Sequence, residues 1–185
     1  PSHGDILRHN DYIVYESDVL RRIFCKPLIG AVAARLIGTP TVRLWSSTLI
    51  YKPPRADEQS NVVPWHADRH HWQTATSNDL MTAFIPMHDC DEDYGTLAIL
   101  DGSHKWEELP AHEDDDPTRH FAERPAEALQ STGEALPRHN KTTIDRSRLR
   151  YAEGQVSVHH CCTYHSSGPN VAETTRLVIT VRFQE

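Results

Sequence analysis

The chain has 185 residues, a formal net charge of −7 at pH 7 and 38% hydrophobic residues. This length and apolar content suffice for one globular domain with a substantial core. The negative charge argues against nucleic acid or an anionic membrane surface as a partner, and no apolar run reaches the length of a membrane span.

The first predicted element is a helix over residues 16–37, within an N-terminal helical segment, 1–40. Its apolar residues recur at helical spacing, and Pro27 is expected to kink or divide the helix. Gly38-Thr39-Pro40 ends it. We expect this element to pack against a sheet.

From Thr41 onward the pattern changes to that of strands. Residues 41–52 are rich in β-branched and aromatic side chains, and Pro53-Pro54 ends this strand. Further strands are predicted at 80–87, 96–100, 153–160 and 174–183. Several short strands joined by turns are typical of a closed or double-sheet β architecture. The barrel core is therefore assigned to residues 41–102 and 151–185 of a single domain, 1–185.

Residues 103–150 interrupt this pattern. They contain four prolines and the acidic run Glu113–Asp116, with little alternation. A long irregular segment inside a compact domain is usually functional or mobile, so one expectation is an insertion or lid over the barrel mouth. A solvated surface excursion explains the composition equally well.

The four cysteines do not resemble a disulfide framework. Cys161 and Cys162 are adjacent and poorly placed to bridge each other, while Cys25 and Cys90 are isolated. Reduced thiols in a cytoplasmic enzyme are therefore expected. A cysteine-containing zinc site is the competing interpretation, but no Cys-x-x-Cys spacing supports it. The chain begins at Pro1 without a methionine, which leaves an upstream targeting segment open.

The most informative pattern is Trp65-His66-Ala67-Asp68. His66 and Asp68 are two positions apart, so on an extended strand their side chains leave the same face. An imidazole beside a carboxylate supplies two of the three ligands of a 2-His-1-carboxylate site, which holds non-heme Fe(II) and leaves coordination positions open. His165 is the best candidate for the third ligand. By the same strand-face argument, His70 would line the substrate pocket.

Five segments resemble, in the same order, the phytanoyl-CoA dioxygenase family of Fe(II)/2-oxoglutarate oxygenases. They are Leu49–Pro53, Trp65–Asp68, Gly95–His104, His165–Asn170 and Arg176. Asp101 is a departure, since the family usually has proline before Gly-Ser-His. The resemblance implies a mainly β fold with flanking helices, namely a double-stranded β-helix of the jelly-roll or cupin-like type. It also implies Fe(II) as the metal, with 2-oxoglutarate and O₂ as cosubstrates.

The resemblance also implies roles for individual residues. The expected iron ligands are His66, Asp68 and His165, the last preferred because Ser167, Pro169 and Asn170 follow it in the family's order. Arg176 follows a turn that can return it to the iron, and its guanidinium suits the distal carboxylate of 2-oxoglutarate. Phe84 matches a position that packs against the cosubstrate. Thr82 faces the same way, and Ser167 is expected to support 2-oxoglutarate. The residues expected at the substrate pocket are Lys52, His70, Trp72 and Gln73.

The retained Asp68 favours hydroxylation over halogenation, because related halogenases replace this carboxylate with a small residue. The expected reaction oxidises an aliphatic C–H of a small polar metabolite or natural-product intermediate, including amino- or sugar-bearing ones, with succinate and CO₂ as coproducts. Oxidative cyclisation, desaturation or epimerisation at the same centre stays open. The acidic chain disfavours an acyl-CoA substrate, whose phosphates require basic residues. The alternatives are a cupin-like metalloprotein that does not use 2-oxoglutarate and a non-catalytic ligand-binding barrel.

Overall fold

The computed structural model describes residues 6–56, 61–72, 74–106 and 146–185. The described strands are β1 (Arg8–Asp11), β2 (Arg43–Lys52), β3 (Val63–His66), β4 (Leu80–Pro86), β5 (Leu97–Leu100), β6 (Arg146–Arg148), β7 (Ser157–His160), β8 (His165–Ser167) and β9 (Arg176–Gln184). The helices are α1 (Ile13–Glu16), α2 (Asp18–Phe24) and α3 (Pro27–Ile37), with 3-10 helices at Asp68–His71 and Ser103–Lys105.

The strands form two antiparallel sheets. The larger sheet has five strands in the order β1-β2-β9-β4-β7, and the smaller has four in the order β3-β8-β5-β6. Both sheets contribute side chains to one cavity and to one hydrophobic cluster, in which Phe84 and Val178 of the larger sheet meet Leu97 of the smaller. This arrangement confirms the predicted double-stranded β-helix.

The helices pack on the outer face of the larger sheet. Ser17 caps α2 by accepting the Leu20 N–H at 3.4 Å, and α3 starts at Pro27, where the first helical position needs no N–H donor. The predicted helix over 16–37 is thus divided at Cys25 and Lys26, as the position of Pro27 indicated. Within the described ranges, no helix is long and apolar enough to cross a membrane.

The central strand β9 has two chemically different faces. The residues that pack against the helices are Ile179, Val181 and Phe183. The residues that face the cavity between the sheets are Arg176, Thr180 and Arg182. Because side chains alternate along a strand with a period of two, this one sequence supplies both the hydrophobic core and the polar cavity wall.

The elements differ from the sequence expectations in two places, and one expectation lies outside the described residues. β1 was not predicted, because Arg8–Asp11 contains no β-branched or aromatic residue; it forms by edge pairing with β2. The metal-bearing strand ends at His66, and Asp68–His71 is a 3-10 helix, so the strand-face argument for His70 does not hold. Most of the expected insertion or lid, residues 107–145, lies outside the described residues.

Candidate metal centre

The structure brings the three proposed ligands together in the cavity. His66 and His165 are paired across β3 and β8, with ring centroids 4.2 Å apart. Asp68 Oδ1 lies 3.9 Å from the Nε2 atom of each histidine. One donor atom from each of the three residues lies within 4.8 Å of the other two. The three donors face one another, so an ion between them, at metal–ligand distances of about 2.0–2.2 Å, would draw them closer together.

The two histidines present the form of imidazole that binds a metal. Nδ1 of His66 donates to the Pro64 carbonyl at 2.8 Å, and Nδ1 of His165 donates to the Thr163 carbonyl at 2.9 Å. Nε2 is therefore the ring nitrogen that carries the lone pair in each histidine, which is the form of imidazole that binds a metal ion. Burial, and then the neighbouring His165, lowers the pKa of His66 well below its usual range. Burial, and then His159, lowers the pKa of His165 to about 4.

Asp68 is held in one orientation by its second oxygen. Oδ2 accepts the Thr82 hydroxyl at 2.7 Å, which leaves Oδ1 facing the two histidines. Burial alone would raise the pKa of the Asp68 carboxyl, but the adjacent His159, and then His165 and Arg182, hold that pKa well below its usual range. The carboxylate is therefore ionised at neutral pH, as a metal ligand must be.

His159 is a site residue that the sequence argument missed. It lies opposite Thr82 in the β4–β7 register, is only 9% exposed, and places Nε2 3.7 Å from Asp68 Oδ2. Its ring centroid is 4.6 Å from that of His165. Among the described residues, neither ring nitrogen has a hydrogen-bond partner. The available signal was the alternation along β7, which turns His159, and not His160, into the cavity.

Two buried basic side chains lie at the other end of the cavity: Arg176 lines it, and Lys52 lies behind Ser167. Arg176 is 1% exposed and donates from Nη1 to the Gly95 carbonyl at 2.5 Å. Lys52 is fully buried, and its Nζ donates to Ser167 Oγ at 2.8 Å, to the Ser167 carbonyl at 3.1 Å and to the Gly168 carbonyl at 2.5 Å. Within the described ranges neither cation pairs with a carboxylate.

Burial lowers the pKa of both basic side chains, Lys52 and Arg176. Burial, and then Arg176, lowers the pKa of Lys52 well below its usual range. Burial lowers the pKa of Arg176 to about 10, so the guanidinium stays charged at pH 7. A buried cation without a counter-ion is costly, and a carboxylate is the natural partner of a guanidinium. This end of the cavity is therefore suited to an anion.

Gly95 allows the loop before β5 to reach this cationic end. Its φ is +64°, and a Cβ atom there would overlap the backbone oxygens of Gly168 and Pro169. Only glycine combines this backbone conformation with such a close approach. The contact brings the Gly95 carbonyl to the Arg176 guanidinium, so the loop fixes the direction of that side chain.

The other predicted site residues are divided between the cavity and its surroundings. Thr82, Phe84 and Ser167 line the cavity, and the Arg176 guanidinium carbon lies 6.0 Å from the Phe84 ring centroid. Three residues expected at the substrate pocket are not among its lining residues. Lys52 lies behind Ser167, His70 packs on Tyr164 at 5.9 Å, and Trp72 packs on Trp45 at 4.9 Å. Gln73 lies outside the described residues.

An unpredicted polar wall completes the cavity. Arg182 Nη1 donates to Thr48 Oγ1 at 2.7 Å, and Thr48 Oγ1 donates to Asp11 Oδ1 at 2.6 Å. All three residues line the cavity with His9. Asp11 and His9 arrive there on β1, so this wall could not be placed without the edge strand.

A family model for phytanoyl-CoA dioxygenase matches residues 3–178 of the chain. The peroxisomal phytanoyl-CoA dioxygenase of Bos taurus is 25% identical over 150 residues, which are 79% of this chain and 40% of that protein. The 1-deoxypentalenic acid 11-beta-hydroxylase of Streptomyces exfoliatus is 25% identical over 171 residues, which are 91% of this chain and 55% of that protein. The chain thus spans about half the length of these curated relatives.

Solved structures share the same fold. The epimerase SnoN, in complex with Fe3+, alpha ketoglutarate and nogalamycin RO, superposes with a TM-score of 0.74 at 22% sequence identity. The superposition covers 100% of this chain and 66% of the SnoN chain. The fold is therefore that of a cupin-like barrel, in which the cavity described above lies between the two sheets.

Proposed function

The chain belongs to the phytanoyl-CoA dioxygenase family, and on that premise we propose that it acts as an Fe(II)/2-oxoglutarate-dependent oxygenase on an aliphatic C–H of a small molecule. The observation that carries this proposal is the joint presence of a His66–Asp68–His165 donor set and a buried cationic end in one cavity. The first suits a metal and the second suits the far carboxylate of a keto diacid.

The donor set fits Fe(II). Two neutral imidazoles and one carboxylate are the ligands of non-heme iron oxygenases, and three ligands leave positions open for a cosubstrate. When bound, Fe(II) would supply the activation of O₂ for oxidation of an unreactive C–H bond, with conversion of 2-oxoglutarate to succinate and CO₂. Thr82 would keep Asp68 Oδ1 directed at the ion, because its hydroxyl occupies Oδ2.

The cationic end would hold 2-oxoglutarate by its distal carboxylate. The Arg176 guanidinium would bind this group, and in this position Arg176 Nε has no hydrogen-bond partner among the described residues. Phe84 would cover the chain of the diacid. We assign Lys52 to this end rather than to the substrate pocket, because its Nζ binds Ser167 and its Cα is the register partner of Arg176, so its positive charge would favour a carboxylate bound there.

The substrate would lie against the polar wall of Asp11, Thr48 and Arg182. This wall supports a small polar metabolite or natural-product intermediate, and hydroxylation is the reaction that we propose. The names of the Streptomyces hydroxylase and of SnoN support a role in natural-product chemistry, in which epimerisation is the second candidate. Cyclisation and desaturation stay open, and the cytoplasmic location stays a prediction.

The test is an anaerobic titration of the metal-free protein with Fe(II) and then 2-oxoglutarate, followed by visible absorption of the chelate. We expect a charge-transfer band that is lost or weakened in Arg176→Ala. The matched control is Arg148→Ala, which removes an exposed guanidinium paired with Glu92. Iron binding without the band would favour a cupin-like protein that does not use 2-oxoglutarate. Absence of iron binding would favour a non-catalytic ligand-binding barrel.

A further inference from the structure

A second group of metal-binding side chains lies in the turn between β7 and β8. Thr163 N–H closes this turn by donating to the His160 carbonyl at 2.8 Å. The Sγ atoms of Cys161 and Cys162 are 3.8 Å apart, and Cys161 Sγ is 4.0 Å from His160 Nδ1. Two sulfurs on one tetrahedral zinc ion, at about 2.3 Å each, are separated by roughly 3.8 Å. The thiols therefore already have the spacing of two ligands to one ion.

We propose that His160, Cys161 and Cys162 form a binding site for a thiophilic closed-shell cation, with Zn(II) and Cd(II) as its probes. Thiolate ligands select zinc and softer ions, whereas a site of imidazoles and a carboxylate also accepts Fe(II). The His66–Asp68–His165 centre contains no sulfur, so the two sites differ in the ions that they prefer. This second site does not depend on the oxygenase function proposed above.

The protonation of the thiols favours such an ion. The contact with Cys161, and then His160, lowers the pKa of Cys162 against the opposing effect of burial. The same contact raises the pKa of Cys161. Metals bind the thiolate form of cysteine, so a bound cation would displace the protons that the two sulfurs still carry. Binding of the cation would replace two hydrogen bonds with metal–ligand bonds. They run from Cys161 Sγ to the Asn78 carbonyl at 3.3 Å and from the Cys162 N–H to His160 Nδ1 at 3.1 Å.

The residues around the two sulfurs form an apolar layer and include a further histidine that could bind the ion. Cys161 and Cys162 belong to an apolar cluster with Trp72 and Leu80, which limits access of water to the sulfurs. His104, on a different element, has its ring centroid 5.9 Å from that of His160 and is exposed. Zinc is usually four-coordinate, so His104 or a water would complete the set.

The decisive experiment is a titration of the reduced, metal-free full chain with Cd(II), followed by near-ultraviolet thiolate-to-cadmium absorption. Only sulfur ligation produces this absorption, so Cd(II) at the His66–Asp68–His165 centre does not contribute. We expect the signal to saturate, and to fall to background in the Cys161→Ser/Cys162→Ser double variant. Each single variant is expected to weaken binding on the order of 100-fold, because the second sulfur otherwise binds intramolecularly.

The controls separate this site from every other. Cys25→Ser and Cys90→Ser remove the remaining two thiols and should keep the absorption. Asp68→Ala removes a ligand of the proposed iron centre and should also leave the cadmium–thiolate absorption unchanged. An absent band, a band that survives in the double variant, or one that disappears in Asp68→Ala would overturn the proposal. None of these results changes the Fe(II)–2-oxoglutarate titration, so failure of either proposal is recognisable by itself.

A second measurement covers the case in which the serine variants do not fold. In the wild-type chain, bound Zn(II) should slow alkylation of Cys162 by iodoacetamide at least about 10-fold, as read by mass spectrometry of the modified peptide, because the sulfur lone pair is engaged. The exposed Cys25 should react at an unchanged rate. Equal alkylation of Cys162 with and without Zn(II) would overturn the proposal.

Discussion

Lys52 on β2 and Arg176 on β9 are register partners in the larger sheet, and both cationic side chains are buried. Their mutual repulsion, added to the cost of burial, opposes the charged form of Lys52. A carboxylate bound beside them reverses this situation, because it favours both charges. The pair therefore couples anion binding to protonation.

This coupling predicts that 2-oxoglutarate binding takes up a proton at any pH that lies between the pKa of Lys52 in the free folded protein and its higher pKa in the complex. The folded-state pKa of Lys52 lies below its ordinary value of 10.5, so between those two values the unfolded chain binds more protons and stability rises with pH. Bound 2-oxoglutarate raises the folded-state pKa. Calorimetry of the Mn(II)-loaded protein, in buffers of different ionisation enthalpy, should show proton uptake that Lys52→Met abolishes. That variant should also bind 2-oxoglutarate about 10- to 100-fold more weakly, because it removes a buried positive charge beside Arg176.

The exposed Lys105 is the matched control for this experiment, since Lys105→Met removes an ammonium outside the cavity. It should leave both affinity and proton uptake unchanged. Equal proton uptake by wild type and Lys52→Met would assign the proton to another group.

Thr82→Val should weaken metal binding about 10- to 100-fold, the usual effect of removing a partner that orients a ligand. The substitution keeps the side-chain volume but removes the hydroxyl that donates to Asp68 Oδ2 at 2.7 Å. Electron paramagnetic resonance of free Mn(II) measures the affinity. Thr82→Ser retains the hydroxyl and should restore most of it; Thr82→Val with wild-type affinity would contradict the orienting role.

His159→Phe should shift the pH midpoint of Mn(II) binding upwards. His159 contributes to the low pKa of Asp68, so its removal lets a proton compete with the metal at higher pH. The aromatic replacement retains the packing against His165, which keeps the cavity filled. Near-ultraviolet circular dichroism checks that packing. An unchanged midpoint in a correctly folded variant would show that His159 does not act through Asp68.

The metal-free protein should lose stability as pH falls from about 6.5 to about 4. Burial holds the pKa of His165 at about 4, against an ordinary value of 6.5, so in this window the unfolded chain binds a proton that the folded chain excludes. A shift of this size corresponds to roughly 3 kcal/mol at its full extent. Urea unfolding across the window measures it. His165→Gln should reduce the dependence, and the part that remains is expected from His66, whose pKa is also lowered by burial.

The sequence was informative where the chemistry depends on short spacings and ordered motifs. The convergence of His66, Asp68 and His165 is an example, as is the turn after His165 that returns Arg176 to the cavity. It was uninformative where a strand ends. The His70 N–H donates to the Ala67 carbonyl at 3.1 Å and starts a 3-10 turn, which residue spacing does not reveal.

Long-range contacts explain the other differences. Lys52 is directed away from the substrate pocket by Ser167, which is 115 positions later in the chain. β1 exists because the edge of β2 is available to pair with it, although its own residues have little strand propensity. Both outcomes depend on neighbours that are brought together only by the completed barrel.

Because side chains alternate along β9, the face on which each residue lies depends on whether the number of residues before it is odd or even. Deleting Leu177 alone would move every later residue of the strand to the other face of the sheet. Thr180 and Arg182 would then enter the hydrophobic core, and Ile179 and Val181 would enter the cavity. Deleting two residues would keep the faces and only shift the register. Length variation in this strand should therefore be tolerated only in even steps.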